Sequence, residues 1–427
     1  MEEKIVKTDM IYPFLQKPVM IYERENGHRI VLAYKPGTLV NVSTWVKTGS
    51  INEDASNNGV SHFLEHLMFK GTTHHKAGEF DKMLESKGAI VNAATWKDYT
   101  FYYVTLPKGP NDEYFNLAID LHADMMLNPV VPPEEIGDTF DINNPQIKTR
   151  VYNLCNHNMY TSHPYKFDVI GTAKLIAEMP RETVLDYYKT HYTPNTMTTI
   201  IAGDFNFDEV LEKVVKAFDF NGRKNNPQRV NVLDKPTQET KYVEQKSDIT
   251  TGFLTVGYLC PPANDLRGSI LGDMVAIIMG DGSSSRLYQN LIEKVEKPIF
   301  NIVAADYYSF KDGGNFFVQA NFQPEKKDKA VEAIKVEIEK LYKEKISAGE
   351  LKKAVKKLKA RFAETSETVS DIAETIGYYL TVCDGTESIN SYISILESIT
   401  ADEVQKFAED YLNLKHATFA VLLPEEK

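Results

Sequence analysis

A chain of 427 residues is too long for one simple hydrophobic core, so two domains are the expectation. Its 42% apolar and 25% charged content is that of an ordinary globular protein, and a formal net charge of −12 excludes the basic surface that nucleic-acid binding needs. No apolar run approaches a membrane span, and Cys155, Cys260 and Cys383 form no CxxC pair, which points to reduced thiols in a cytoplasmic setting without membrane contact. The alternative expectation is a setting outside the cytoplasm, reached through a signal peptide since removed.

Taken in chain order, residues 29–34 and 40–46 are rich in β-branched and apolar side chains and read as strands. Helical spacing of Val60, Phe63, Leu64, Leu67 and Met68 predicts a short helix with one buried face. A second helix is expected over 80–87, closed by Gly88, then strands over 89–92 and 99–106. A longer helix is expected over 112–127, stopped by Asn128-Pro129. Residues 184–192 and 197–202 read as helix then strand, and 404–412 with 418–423 repeat that pattern near the end of the second half. A strand over 253–259 opens the second half much as 29–34 opens the first. The chain therefore reads as a duplicated α+β unit, with domains 1–225 and 226–427 joined through the polar stretch 221–239. The run Gly280-Asp281-Gly282-Ser283 lacks a following Gly-Lys-Ser/Thr and reads as a turn, and the lysines of 352–359 read as a solvated helix face.

Within the first helix lies His62-Phe63-Leu64-Glu65-His66. Residues i and i+4 of a helix lie one above the other, so both imidazoles can reach one Zn²⁺. Glu65, adjacent to His66, sits beside such an ion without being a ligand, where it could take a proton from a metal-held water. His-x-x-Glu-His is the inverzincin signature of zinc peptidases. His74-His75, just after Gly71-Thr72-Thr73, read instead as exposed loop residues.

The segment Ser61-His62-Phe63-Leu64-Glu65-His66-Leu67-Met68-Phe69-Lys70-Gly71-Thr72 resembles the active-site segment of the pitrilysin / mitochondrial-processing-peptidase family. Gly78-Glu79-Phe80, Gly88-Ala89 with Asn92-Ala93-Ala94-Thr95, His163-Pro164-Tyr165 with Ile170-Gly171-Thr172, and Ser284-Ser285-Arg286-Leu287-Tyr288 extend the resemblance along most of the chain. The resemblance implies a zinc endopeptidase made of two homologous α/β-roll domains, each an antiparallel sheet with helices packed on one face, forming half of a clamshell. It also implies His62 and His66 as metal ligands, Glu65 as general base, and Asn92, Ala93 and Thr95 on an edge strand that pairs with extended peptide.

The sequence departs from that family in two places. The third ligand should be a glutamate roughly eighty residues after the motif, yet counting lands near Asn143 and aligning from Leu127-Asn128-Pro129 lands on Gln146. Neutral amides are poor zinc ligands, which leaves Glu135 or Asp141 as substitutes, a lost ligand, or residues missing from the loop-like stretch 137–144. An Arg/Tyr pair that holds the substrate carbonyl in relatives is replaced here by Ile292 and by Ile299 or Phe300, which cannot hydrogen-bond. The expectation is a homologous partner subunit that brings the pair, or a homodimer. The competing expectation is a non-catalytic scaffold or peptide-binding subunit with a vestigial metal site.

Overall fold

The apolar stretches read as strands pair into two sheets, each built around strands buried on both faces. The computed structural model describes residues 4–137, 147–223, 227, 233–383, 385 and 387–425. The first sheet contains β1 (Ile5–Met10), β2 (Val19–Arg24), β3 (Arg29–Tyr34), β4 (Leu39–Val46), β5 (Ile90–Thr95), β6 (Thr100–Pro107) and β7 (Met197–Gly203), in the order β1-β2-β3-β7-β4-β6-β5. All pairs are antiparallel except β3 with β7, because β7 arrives by a long crossover and inserts between β3 and β4. Every residue of β7 is buried, as the unbroken Met197-Thr198-Thr199-Ile200-Ile201-Ala202-Gly203 run requires.

The second sheet contains β8 (Lys241–Ser247), β9 (Gly252–Cys260), β10 (Phe300–Ser309), β11 (Gly314–Phe322) and β12 (Thr418–Pro424), in the order β10-β11-β9-β12-β8. Reading inward from β5 and from β10, the two sheets have the same connectivity. Each has one parallel pair, β3 with β7 and β8 with β12, and the other equivalent pairs are antiparallel. The duplication expected from the repeated helix-then-strand pattern is thus present strand for strand, and β1 and β2 are additions to the first copy.

The chain divides into two compact units: Met1–Asn143, Asp168–Val230 and Ala363–Asn390 form one, and Asn144–Phe167, Asn231–Phe362 and Ser391–Lys427 the other. In the first, Ile30, Leu32, Val40, Val42, Tyr102, Val104 and Ile201 share a core with the helices Val60–Met68, Glu79–Glu85, Glu113–Leu127 and Phe207–Ala217. The alternate strand residues face the other way, where the helix Val369–Val382 covers β4 and β7. There Ser370 Oγ lies 2.8 Å from Thr105 Oγ1 and accepts from Asn41 Nδ2 at 3.3 Å. In the second unit the helix Ile147–Met159 covers the equivalent strands β9 and β12. The halves of the chain therefore exchange one helix each, from one sheet to the other.

Helix Ala348–Glu364 carries the lysine run. Lys353 Nζ donates to Ser284 O at 2.7 Å and Lys357 Nζ to Asp281 Oδ2 at 2.8 Å, so this face anchors the 281–284 turn and is not merely solvated. Among the described residues no helix is long and apolar enough to cross a membrane.

Candidate metal centre

The helix Val60–Met68 forms where the sequence places it, with Val60, Phe63, Leu64, Leu67 and Met68 all buried. Its entry is set by Gly59 at φ 95°, where a Cβ would come within 2.9 Å of Gly171 Cα and Ile170 O. Only glycine fits that turn. Gly59 offers no capping side chain, and Glu53 does the capping from outside the helix. Its Oε2 accepts from Gly59 N–H and Asn58 Nδ2, both at 2.8 Å, and its Oε1 accepts from Ser61 N–H at 2.9 Å and from the Ser61 hydroxyl. Burial raises the Glu53 pKa, and these four hydrogen bonds pull against that rise.

On the outer face of this helix, His62 Nε2 and His66 Nε2 lie 3.2 Å apart, His62 half-buried and His66 exposed. Two nitrogens bound to one tetrahedral zinc at about 2.0–2.1 Å stand roughly 3.3 Å apart. The pair fits that ion. Glu65 is 8% exposed, and the Thr95 hydroxyl donates to its Oε2 at 2.6 Å. Burial raises the Glu65 pKa, while Thr95 and the charge of His66 favour the carboxylate.

Thr95 ends β5, and β5 is an edge of the seven-stranded sheet, as expected for Asn92, Ala93 and Thr95. Asn92 is exposed, with its Oδ1 accepting from Ala93 N–H at 2.9 Å; Ala93 and Thr95 are half-buried. Glu65 and the edge strand thus meet through one hydroxyl.

Glu135 lies in the one-turn helix Pro133–Glu135, where its Oε2 stands 3.0 Å from Lys70 Nζ. Asp141, Asn143 and Gln146 fall outside the described residues. Among the described residues, no group of three or more His, Cys, Asp and Glu is placed to hold a metal. Two imidazoles suit zinc, and no third donor joins them there. His74 and His75 lie in a loop as expected, His74 exposed and His75 half-buried, and their Nδ1 atoms lie 2.6 and 2.9 Å from the two carboxylate oxygens of Asp124. Burial works to raise the Asp124 pKa, but hydrogen bonds from Thr72, Asn128, His74 and His75 outweigh it and hold the group below the usual range.

Sequence reasoning missed Glu53 and Lys97. Lys97 is 4% exposed, and burial lowers its pKa to about 8 against the attraction of Asp168, Asp98 and Glu53. Neither residue has a motif; an acidic side chain a few residues before a glycine-capped helix was the available hint. In the second unit, Phe300 opens β10 and is buried, and Ile292 lies in the wide turn Gln289–Glu293, so neither position carries a hydrogen-bonding side chain.

The chain is similar to known proteins over most of its length. The family description "Insulinase (Peptidase family M16)" matches residues 29–172 and "Peptidase M16 inactive domain" matches residues 178–358. The chain is 26% identical over 405 residues to the uncharacterized zinc protease YmxG of Bacillus subtilis, covering 91% of this chain and 96% of that one. It is 27% identical over 424 residues to the zinc protease PqqE of Helicobacter pylori, covering 94% and 91%. A probable mitochondrial-processing peptidase subunit beta of Arabidopsis thaliana is 24% identical over 420 residues, covering 93% and 77%. The fold matches the crystal structure of a protease from Helicobacter pylori with a TM-score of 0.85 at 23% identity, covering 99% of this chain and all of that one.

Proposed function

The chain belongs to peptidase family M16, also called the pitrilysin family, and from that premise we propose that it is the metal-bearing subunit of a zinc endopeptidase. The observation that carries this reading is the convergence of His62 and His66 Nε2 with the buried Glu65 carboxylate alongside. His62 and His66 would hold the ion, which when bound supplies a Lewis acid that polarises a carbonyl and eases deprotonation of water. Glu65 takes the proton of the attacking water and returns it to the leaving amine. Its burial favours holding that proton, and Thr95 Oγ1 keeps the carboxylate oriented through both transfers. Extended peptide adds to the free edge of β5 through main-chain hydrogen bonds, with Asn92, Ala93 and Thr95 as its neighbours.

Ile292, Ile299 and Phe300 cannot polarise a carbonyl, so a homologous subunit of different sequence would contribute the missing donors, whereas a homodimer would have to do without them. The relative named as a subunit of a processing peptidase supports a paired assembly. The third ligand would be Glu135, released from Lys70, or Asp141, which lies outside the described residues.

A second reading has its own support. No third donor joins the histidine pair among the described residues, as suits a peptide-binding subunit without catalysis. The two separate on Glu65→Gln, assayed with a quenched fluorescent peptide beside zinc content, with and without a co-expressed homologous subunit. The catalytic reading expects chelator-sensitive cleavage that disappears in Glu65→Gln while zinc stays bound. Cleavage that survives in this variant would sink the mechanism; zinc without cleavage in every pairing would favour the second reading.

A further inference from the structure

The histidine pair is only as well placed as the helix beneath it, and that helix is nine residues long with a glycine for its N-cap. A short helix leaves its first N–H groups without partners, so its end frays unless something outside holds it. Glu53 is that holder. One carboxylate, 4% exposed, accepts four hydrogen bonds from Asn58, Gly59 and Ser61, the last adjacent to His62.

The segment bearing Glu53 is itself tied to the end of the edge strand. Ser50 N–H donates to Trp96 O at 3.3 Å and Ile51 N–H to Lys97 O at 2.8 Å. Lys97, buried beside the buried Glu53 and Asp98 and the half-buried Asp168, supplies the cation that such a concentration of carboxylates needs. A second tie runs through hydroxyls: Tyr187 OH lies 2.8 Å from Ser61 Oγ and 2.7 Å from Thr48 Oγ1. The start of the motif helix and the end of β5 therefore share one buried polar network.

We propose that Glu53 is a positioning residue for the His62/His66 pair, fixing the first turn of its helix relative to the end of β5. This rests on the reading of the pair as metal ligands. In Glu53→Gln one oxygen becomes an amide nitrogen, a donor facing donors, so half of the cap is lost with side-chain volume kept. Zn²⁺ affinity by competition with a chelating dye, and the visible spectrum of the Co²⁺-loaded protein, read the geometry of the pair without turnover. Gly377→Ala, a change in the same unit on the opposite sheet face, serves as the control for lost stability.

The expected result is Zn²⁺ binding weaker by about tenfold or more in Glu53→Gln, with shifted Co²⁺ bands, and neither change in Gly377→Ala. Ser61→Ala removes one hydroxyl donor and should weaken Zn²⁺ binding in the same direction by less. Glu53→Gln indistinguishable from the unaltered chain, or no worse than Gly377→Ala, would overturn the proposal. If Glu53→Gln does not fold, unchanged affinity in Ser61→Ala would overturn it. An unaltered chain that takes no Zn²⁺ at all would remove the metal reading, and this inference with it.

Discussion

Acidification should loosen the first unit through two histidines that lie far from the motif. His28 and His122 are fully buried, and a line of hydroxyls joins them: His28 Nε2 lies 2.9 Å from Thr199 Oγ1, Thr199 Oγ1 lies 3.2 Å from Thr44 Oγ1, and Thr44 Oγ1 lies 3.0 Å from His122 Nε2. The Nδ1 atoms of both rings are buried without a hydrogen-bond partner, so neither imidazolium would find an acceptor there. Burial lowers each pKa from 6.5 to about 3, and Arg24 adds to the effect at His28. The unfolded chain therefore binds more protons than the folded one below pH 6.5, and stability falls as pH drops from there toward 3. Each pH unit in that window is worth about 1.4 kcal/mol per group, so moving from pH 7 to pH 5 removes about 2 kcal/mol for each histidine and about 4 for the pair.

Urea unfolding followed by tryptophan fluorescence measures this directly, since Trp45 and Trp96 both lie in the first unit. Substituting His122→Gln keeps a hydrogen-bonding group near Thr44 and removes the titration. The stability difference between pH 7 and pH 5 should shrink by about 2 kcal/mol relative to the unaltered chain. Glu53 and Glu65, whose pKa values are raised, act in the opposite direction but are common to both proteins and cancel in the comparison. An equal pH dependence in the two proteins would refute the argument.

Three other changes follow from close contacts. A Cβ at Gly377 would stand 2.1 Å from the buried Trp45 ring, so Gly377→Ala should destabilise the first unit by about 1–3 kcal/mol, read as an earlier fluorescence midpoint in urea. Gly59→Ala combines a left-handed backbone at φ 95° with Cβ contacts at 2.9 Å, and should lower thermal stability and Zn²⁺ uptake together. Asp234 accepts N–H hydrogen bonds from Thr161, Ser162 and His163 in the second unit, so Asp234→Ala should cost about 1 kcal/mol there and speed amide exchange at those three residues.

Much of this architecture was legible because it is local. The strand over 29–34 and the helix ends near Gly88 and Asn128 follow from periodicity and from residues that stop helices, and they appear within a residue or two of the expected places. The motif was legible for the same reason: four residues are slightly more than one helical turn, so the spacing of His62 and His66 already sets their side chains together. The pairing of His74 and His75 with Asp124 was not legible, because that partner is about fifty residues away on a helix. The contacts of Lys353 and Lys357 with the 281–284 turn were hidden likewise, since a solvated face that also anchors a turn has the same composition as one that does not.

What the sequence by itself determined is therefore the spacing of two histidines and a glutamate on one short helix, the duplication and the family. The tertiary structure alone decided that β7 inserts beside β3, that the helices 147–159 and 369–382 cross to each other's sheets, and that Glu53 caps the helix Val60–Met68. Those outcomes depend on contacts between residues far apart in the chain. No local spacing encodes them, because many distant partners satisfy the same apolar pattern and only packing selects among them.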